Sequence, residues 1–351
     1  MYSRLSPGDD IRRRGPRPGG QSRRVPRIVV PLPLADRPFA VDEARRAGLG
    51  IGQLRGPDLA APHRGVRYVV DGHPDPDDVP RDLAVRARDV LPVMLDDWRF
   101  SRVTALGLWG LPVPWWVRDG KEPLHVTAIE GRGPRRPGVA THRAGAAASR
   151  ADPTDRRAGL GRSDRPPMSR VDGLPVDEPV TAWVECGSLL SLTDLVRAGD
   201  ALAGCWSPHV AARERPVAQL ERALHDARGR RGVARVREAC ELVRPGVESP
   251  KETELRLLLT RAGLPEPEIN VRTYDDRGCY LGKPDLRYAW CRLAIEYEGD
   301  EHRRDPMRFR QDILRRERFA DAGWRTVRCT DDDLHGRRAD ELVARVRRLL
   351  S

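Results

Sequence analysis

Apolar residues recur along the chain in two rhythms, one of three to four residues and one of two. The changes of rhythm divide it into segments. AVDEARRAGL lets Val41, Ala44 and Leu49 share one helical face, with Gly48 as a stop. GIGQLRGPDL follows as a second short segment, and HRGVRYVV reads as a strand behind a tight turn at Gly65. Two short helices closed by a strand make a winged-helix-sized unit over 31–75, a pattern that any small helical subdomain shares.

Residues 76–245 carry mostly helical spacing. DLAVRARDVLPVML and FSRVTALGLWGLPVP predict helices, the second ended by Gly110 and Pro112, and PLHVTAIE predicts an alternating strand. Leu189, Leu192, Leu195 and Val196 line another helix, and two more flank the break at Gly229 to Gly232. This middle reads as a mostly helical α+β scaffold without a catalytic constellation. Residues 144–171 have almost no bulky apolar side chains and predict a flexible insertion. LWGLPVPWW reads as packing rather than a base-stacking platform.

From 249 to 351 the order is helix, three strands, helix, strand, helix, which predicts an α/β core. KETELRLLLTRAGL turns Leu255, Leu258 and Leu259 inward and stops at Gly263. INVRTYD, LGKPDLRY and CRLAIEYEGDEH are the strands. Pro306 opens a helix ending at Gly323, WRTVRC is the last strand, and Asp331 to Asp333 predict the cap of the final helix.

Charge alters this picture less than its total suggests. The net charge is +11. Residues 1–30 contribute +6 and residues 132–170 contribute +7, whereas 249–351 hold 22 basic and 20 acidic side chains. The basic excess therefore lies in a tail that predicts disorder and in the insertion; it permits DNA binding without indicating it. Six cysteines without C-x-x-C spacing predict buried free thiols and no zinc site. With no apolar run of membrane length and no apolar h-region in the first twenty residues, a cytoplasmic protein without membrane contact is expected.

In LAIEYEG, Leu293, Ile295 and Tyr297 alternate with Ala294, Glu296 and Glu298, so both glutamates leave one face of a strand. A hairpin centred near Trp290 sets Asp285 opposite Ala294 to Glu296. Three carboxylates brought that close repel unless a cation sits among them or one is protonated, and oxygen-only ligation suits Mg²⁺ or Mn²⁺. The solvated side of an edge strand would present the same pattern.

GKPDL, LAIEYEGDEH and RFRQDILRRERFADAGWRTVRCT, in that order, resemble the very-short-patch-repair-like branch of the PD-(D/E)XK endonuclease superfamily over 249–351. The resemblance implies a restriction-endonuclease-like α-β-β-β-α-β-α fold and Mg²⁺- or Mn²⁺-dependent phosphodiester hydrolysis. It implies Glu252 as a helical acid, with Asp285 and Glu296 as metal ligands. Glu298 falls where the superfamily has lysine, so either an extra carboxylate on the metal and His302, as general acid or base, serve instead, or activity is lost. His302 and Asp312 match a histidine and an acid of the relatives, and Arg315 follows one turn on. Upstream, PFAVDEARRAGLGIGQLRGPDL, HRGVRYVV and FSRVTALGLWGLPVP resemble actinobacterial proteins whose N-terminal part is like AbiEi antitoxins. That implies a winged helix–turn–helix on double-stranded DNA, with Gln53 and Arg55 as contacts; Arg64, and Arg315 in the C-terminal part, are further candidate DNA contacts. The expectation is a DNA endonuclease with a DNA-binding module, acting in phage defence or repair, as a homodimer or with a toxin partner. The alternatives are an antitoxin-like regulator with a degenerate nuclease fold, and a protein–protein module that never touches DNA.

Overall fold

The computed structural model describes residues 28–70, 82–129, 133, 135–143, 169–299 and 306–351, with 306–313 described by backbone alone. Nearly all of the basic tail and the 144–171 insertion lie outside these residues. It is a mixed α/β structure with several small sheets.

The first elements are α1 (Leu32–Ala35), β1 (Phe39–Ala40), α2 (Val41–Arg46), α3 (Ile51–Leu54), β2 (Leu59–Ala60) and β3 (Val66–Val69). The strands pair antiparallel in the order β1-β3-β2. They close over a core of Leu34, Phe39, Ala44, Leu49, Leu54, Leu59 and Val69. Gly48 and Gly65, at φ 93° and 86°, make the turns that an L side chain would resist.

The middle carries more strand than its periodicity predicts. Its elements begin with α4 (Leu83–Val90), β4 (Trp98–Phe100), α5 (Arg102–Leu108), α6 (Trp115–Arg118), β5 (Leu124–Ala128) and β6 (Val139–Arg143). They continue with β7 (Ser169–Val171), β8 (Leu174–Val176), α7 (Pro179–Glu185), α8 (Leu192–Ala203), α9 (Val217–Asp226) and α10 (Val233–Leu242). The strands form a five-stranded mixed sheet, β6-β5-β4-β8-β7. Four of them have three to five residues and no alternating signature, so the sequence pattern reveals only β5. Even β5 is buried along its whole length, because its polar side chains His125 and Thr127 are covered as well. Trp115, at the start of α6, is 73% exposed, so LWGLPVPWW is only partly packing.

The last elements are α11 (Pro250–Arg261), β9 (Glu268–Ile269), β10 (Thr273–Tyr274), β11 (Tyr280–Gly282), β12 (Leu286–Tyr288), β13 (Leu293–Tyr297), α12 (Pro306–Asp321), β14 (Arg325–Cys329) and α13 (Gly336–Leu350). Five short strands replace the predicted three before α12, because the first two predicted stretches each break into two strands with different partners. β10 and β11 pair by themselves, while β14-β13-β12-β9 make a four-stranded sheet. Within it β12 and β13 are antiparallel, and β14 returns parallel to β13 after α12. Leu293, Ile295 and Val327 pack with α11 and α13 on one face, and Ala294 packs with Phe319 of α12 on the other. β13 is thus a central strand covered on both faces, not an edge. The aspartates of 331–333 lie in a separate 3₁₀ turn, in which Asp333 accepts from the Thr330 N–H at 2.8 Å. α13 begins after it, with His335 at the cap position.

Ser249 caps α11 by accepting from the Glu252 N–H at 3.2 Å, and Pro250 fills the first turn. This helix is buried on two sides. Leu255 and Leu259 enter the C-terminal core, and Leu257 enters the middle core. Between them Arg256, 1% exposed, donates to Asp200 of α8 at 3.1 Å; Asp200 also accepts from Thr253 Oγ1 at 2.8 Å and the Arg244 N–H at 2.7 Å. The cysteines of the described residues are free thiols, but Cys205 and Cys279 are exposed, against the buried expectation.

Candidate active site

Asp285 immediately precedes β12, and the β12–β13 register of Leu286 opposite Ile295 sets it beside the end of β13. Its Oδ2 accepts from the Tyr297 N–H at 2.7 Å, and its carbonyl accepts from the Asn270 N–H at 2.9 Å. Glu296, on β13, is buried under α12, and Arg315 of that helix reaches it at 3.0 Å. Glu252, in the first turn of α11, accepts from the Glu248 N–H at 2.9 Å and from Asn270 Nδ2 at 2.5 Å. Elements distant in sequence therefore bring Glu252, Asp285, Glu296 and Arg315 to one place.

Burial drives the Asp285 carboxyl up to about 7; the Tyr297 N–H works against this, the fields of Glu252 and Glu296 add to it, and Arg315 opposes it. Burial also raises Glu252, held back by its hydrogen bonds from Glu248, Asn270 and Ser249. Such a set of carboxylates is costly by itself and is stabilised by a bound cation or a shared proton.

Glu298 shares the period-two face of Glu296, but its side chain pairs with Arg328 of β14. Burial acts to raise it, and the bond and charge of Arg328 outweigh that and hold it below the ordinary carboxylate range. Lys283, two residues before Asp285, bonds both oxygens of Glu248 at 2.5 and 2.6 Å. His302 lies outside the described residues, and Asp312 is described only as a backbone position on α12.

Of the residues expected to touch DNA, Gln53 caps its own helix, its Oε1 accepting from the Gly50 N–H at 2.8 Å. Arg55 and Arg64 are exposed, and the Arg64 carbonyl accepts from Arg136. Arg315 faces Glu296. The pattern of the sequence gives no sign of Asn270 as the tether of Glu252, because that contact joins a loop to a helix eighteen residues earlier.

Two other polar groups stand out among the described residues. Ligand atoms of Glu254, Asp331 and His335 come within 4.8 Å of one another, and Lys251 bonds both acids of that set, so a cation is already supplied there. Glu252, Asp285 and Glu296 do not close to that spacing. In the middle, where the sequence predicts no constellation, the stacked rings of His125 and His142 meet at 2.9 Å, Nδ1 to Nε2, and Glu122 holds the other nitrogen of His125 at 3.1 Å. Burial, then the charges of Arg102 and His125, lowers His142 to about 4, so it is neutral at pH 7.

No helix among the described residues is long and apolar enough to cross a membrane. No family model matches the chain, and no solved structure matches it. It is similar to two uncharacterized proteins of Mycobacterium tuberculosis, Rv2248 of strain H37Rv and MT2308 of strain CDC 1551. Each is 33% identical over 132 residues, which is 38% of this chain and 48% of the relative. The chain therefore spans about half the length of the curated relatives it matches.

Proposed function

We propose that the protein is a divalent-metal-dependent DNA endonuclease with its site on the C-terminal sheet. The observation that carries this reading is the convergence of Asp285 and Glu296, from adjacent strands, with Glu252 from the helix before them, in a setting that pushes Asp285 up to about 7. The order α11, short strands, β12–β13 hairpin, α12 and parallel β14 is also what a restriction-endonuclease-like core requires. The donor set fits the metal: the oxygens are carboxylate, and the cost of gathering them falls when Mg²⁺ or Mn²⁺ is held by Asp285 and Glu296. Bound there, the ion supplies Lewis-acid charge and a more acidic water. The chain's own groups do the rest. Tyr297 N–H fixes Asp285, Asn270 fixes Glu252, and Arg315 fixes Glu296.

The N-terminal unit would bring duplex DNA to this site, with Arg55 and Arg64 as its exposed cations. A second reading, a DNA-binding regulator with a degenerate nuclease fold, draws on one observation: a glutamate tied to Arg328 stands at the superfamily's lysine position, and Lys283 is engaged by Glu248. A Mg²⁺/Mn²⁺ cleavage assay on plasmid and on mismatched duplexes separates the two. The nuclease reading expects Asp285→Ala and Glu296→Ala to abolish cutting while leaving the fold intact; wild type that binds DNA without cutting supports the regulator.

A further inference from the structure

We propose that Arg315 is the catalytic cation of this site, doing from α12 what the missing lysine would do from β13. The inference rests on the nuclease reading and names a residue role within it.

The path of the side chain is specific. A Cβ built on Gly282 would lie 3.1 Å from Arg315 Cδ, 3.4 Å from Arg315 Cγ and 2.9 Å from Phe319 Cε2. The aliphatic stem of Arg315 therefore lies across bare backbone at the end of β11, three residues before Asp285. Phe319, one turn further along α12, is buried against Leu281 and Ala294 and fixes the rotation of the helix that aims Arg315. The guanidinium then stands 3.0 Å from Glu296, and its charge acts on Asp285 and on Glu298. Its side chain is 32% exposed, so the cation is reachable from outside.

Two alternative positions among the described residues are already engaged. Lys283 is bound to Glu248, and the strand position two residues beyond Glu296 holds an acid bound to Arg328. A guanidinium carries five donors in a planar fork, enough to hold Glu296 and meet a phosphate oxygen together.

In hydrolysis the water oxygen forms a bond to phosphorus. The bond from phosphorus to the leaving sugar oxygen breaks, and its electron pair stays with that oxygen. One water proton passes to solvent, and the leaving oxygen takes one from solvent, giving a phosphomonoester and a hydroxyl. Arg315 exchanges no proton in this step. It stabilises the negative charge that grows on the non-bridging oxygens as the bond to water forms. Before substrate arrives it also neutralises Glu296, so it competes with the metal for that carboxylate.

Those two roles pull apart in one variant. In full-length Arg315→Ala, single-turnover cutting of duplex DNA at saturating Mn²⁺ should fall by roughly 10²–10³-fold, the usual cost of removing one transition-state donor. Mn²⁺ binding without DNA, followed by electron paramagnetic resonance, should hold or tighten. Added guanidinium should restore part of the rate, and Arg315→Lys should fall between the two. Arg315→Ala that cuts within about twofold of wild type overturns the proposal and leaves the nuclease reading standing. So does a rate loss that guanidinium does not rescue or that accompanies weaker Mn²⁺ binding, since Arg315 would then only hold Glu296 in place. If Arg315→Ala does not fold, Arg315→Lys decides: a partial rate with Mn²⁺ binding retained supports the charge role, and a rate lost together with Mn²⁺ binding overturns it. Wild type that binds Mn²⁺ through Asp285 and never cuts overturns the nuclease reading, and this proposal with it.

Discussion

Asp285 holds its proton to about pH 7 in the folded chain, chiefly through burial, and to about 4 when unfolded. The folded state therefore binds more protons between those values, and stability falls as pH rises from about 4 to about 7. In metal-free protein, Asp285→Asn removes this loss. Its unfolding free energy at about pH 8 should exceed that of wild type by roughly 2–4 kcal/mol, and the two should converge near about pH 4. Urea melts at the two pH values test this, and equal curves at the higher one would remove the electrostatic case for a metal at this position. The same carboxyl should make Mn²⁺ affinity fall about tenfold per pH unit below about 7, because the ligand must be deprotonated. Asp285, Glu296 and Glu252 are legible in the sequence because motif spacing and strand alternation constrain them. Arg315 is legible as a basic residue, but its direction is not. That direction depends on the space above Gly282, which belongs to another element and leaves no mark in the helix's own pattern.

Among elements, α11 best shows what periodicity can and cannot resolve. Its start and stop are local, set by Ser249, Pro250 and Gly263, and the sequence reveals them. Its second buried side does not show, because Thr253, Arg256 and Leu257 read as the outer face of an amphipathic helix until α8 covers them. The middle sheet escapes the sequence for a related reason: three-residue strands are too short to express a period. Across the seam, Arg256 and Asp200 are buried together, and the truncation of Asp200 removes the one carboxylate on the Arg256 Nη2, leaving the guanidinium with Glu266 and the Leu242 carbonyl. Asp200→Ala should lower stability by about 3–5 kcal/mol, and Arg256→Met with Asp200→Leu together should recover most of that. A double-mutant cycle by thermal melting checks it; a drop below about 1 kcal/mol for Asp200→Ala would mean that the pair is solvated.

At the scale of the molecule, the net charge misleads if it is read as one field, because 249–351 is nearly balanced while the tail and insertion carry the excess. DNA affinity that comes from neutralised phosphates should fall steeply with salt, and the log–log slope scales at about 0.9 per phosphate neutralised. Replacing both Arg55 and Arg64 by alanine should therefore flatten that slope by about 2, as read by fluorescence anisotropy on a duplex. An unchanged slope would assign DNA binding to other cations. Among the described residues, the larger clusters of buried apolar side chains fall in the N-terminal, middle and C-terminal parts of the chain, and Leu257 of α11 belongs to the middle one.

The two-sided burial of α11 bears on how such a chain can change over generations. A recombination event that joined the last hundred residues to a different upstream partner would bring Arg256 with Glu266 on its Nη1 but without Asp200 and the Leu242 carbonyl, the partners of its buried Nη2. Exchange of this cassette therefore costs least when the donor of α8 travels with it, and the two helices should tend to be inherited as one block.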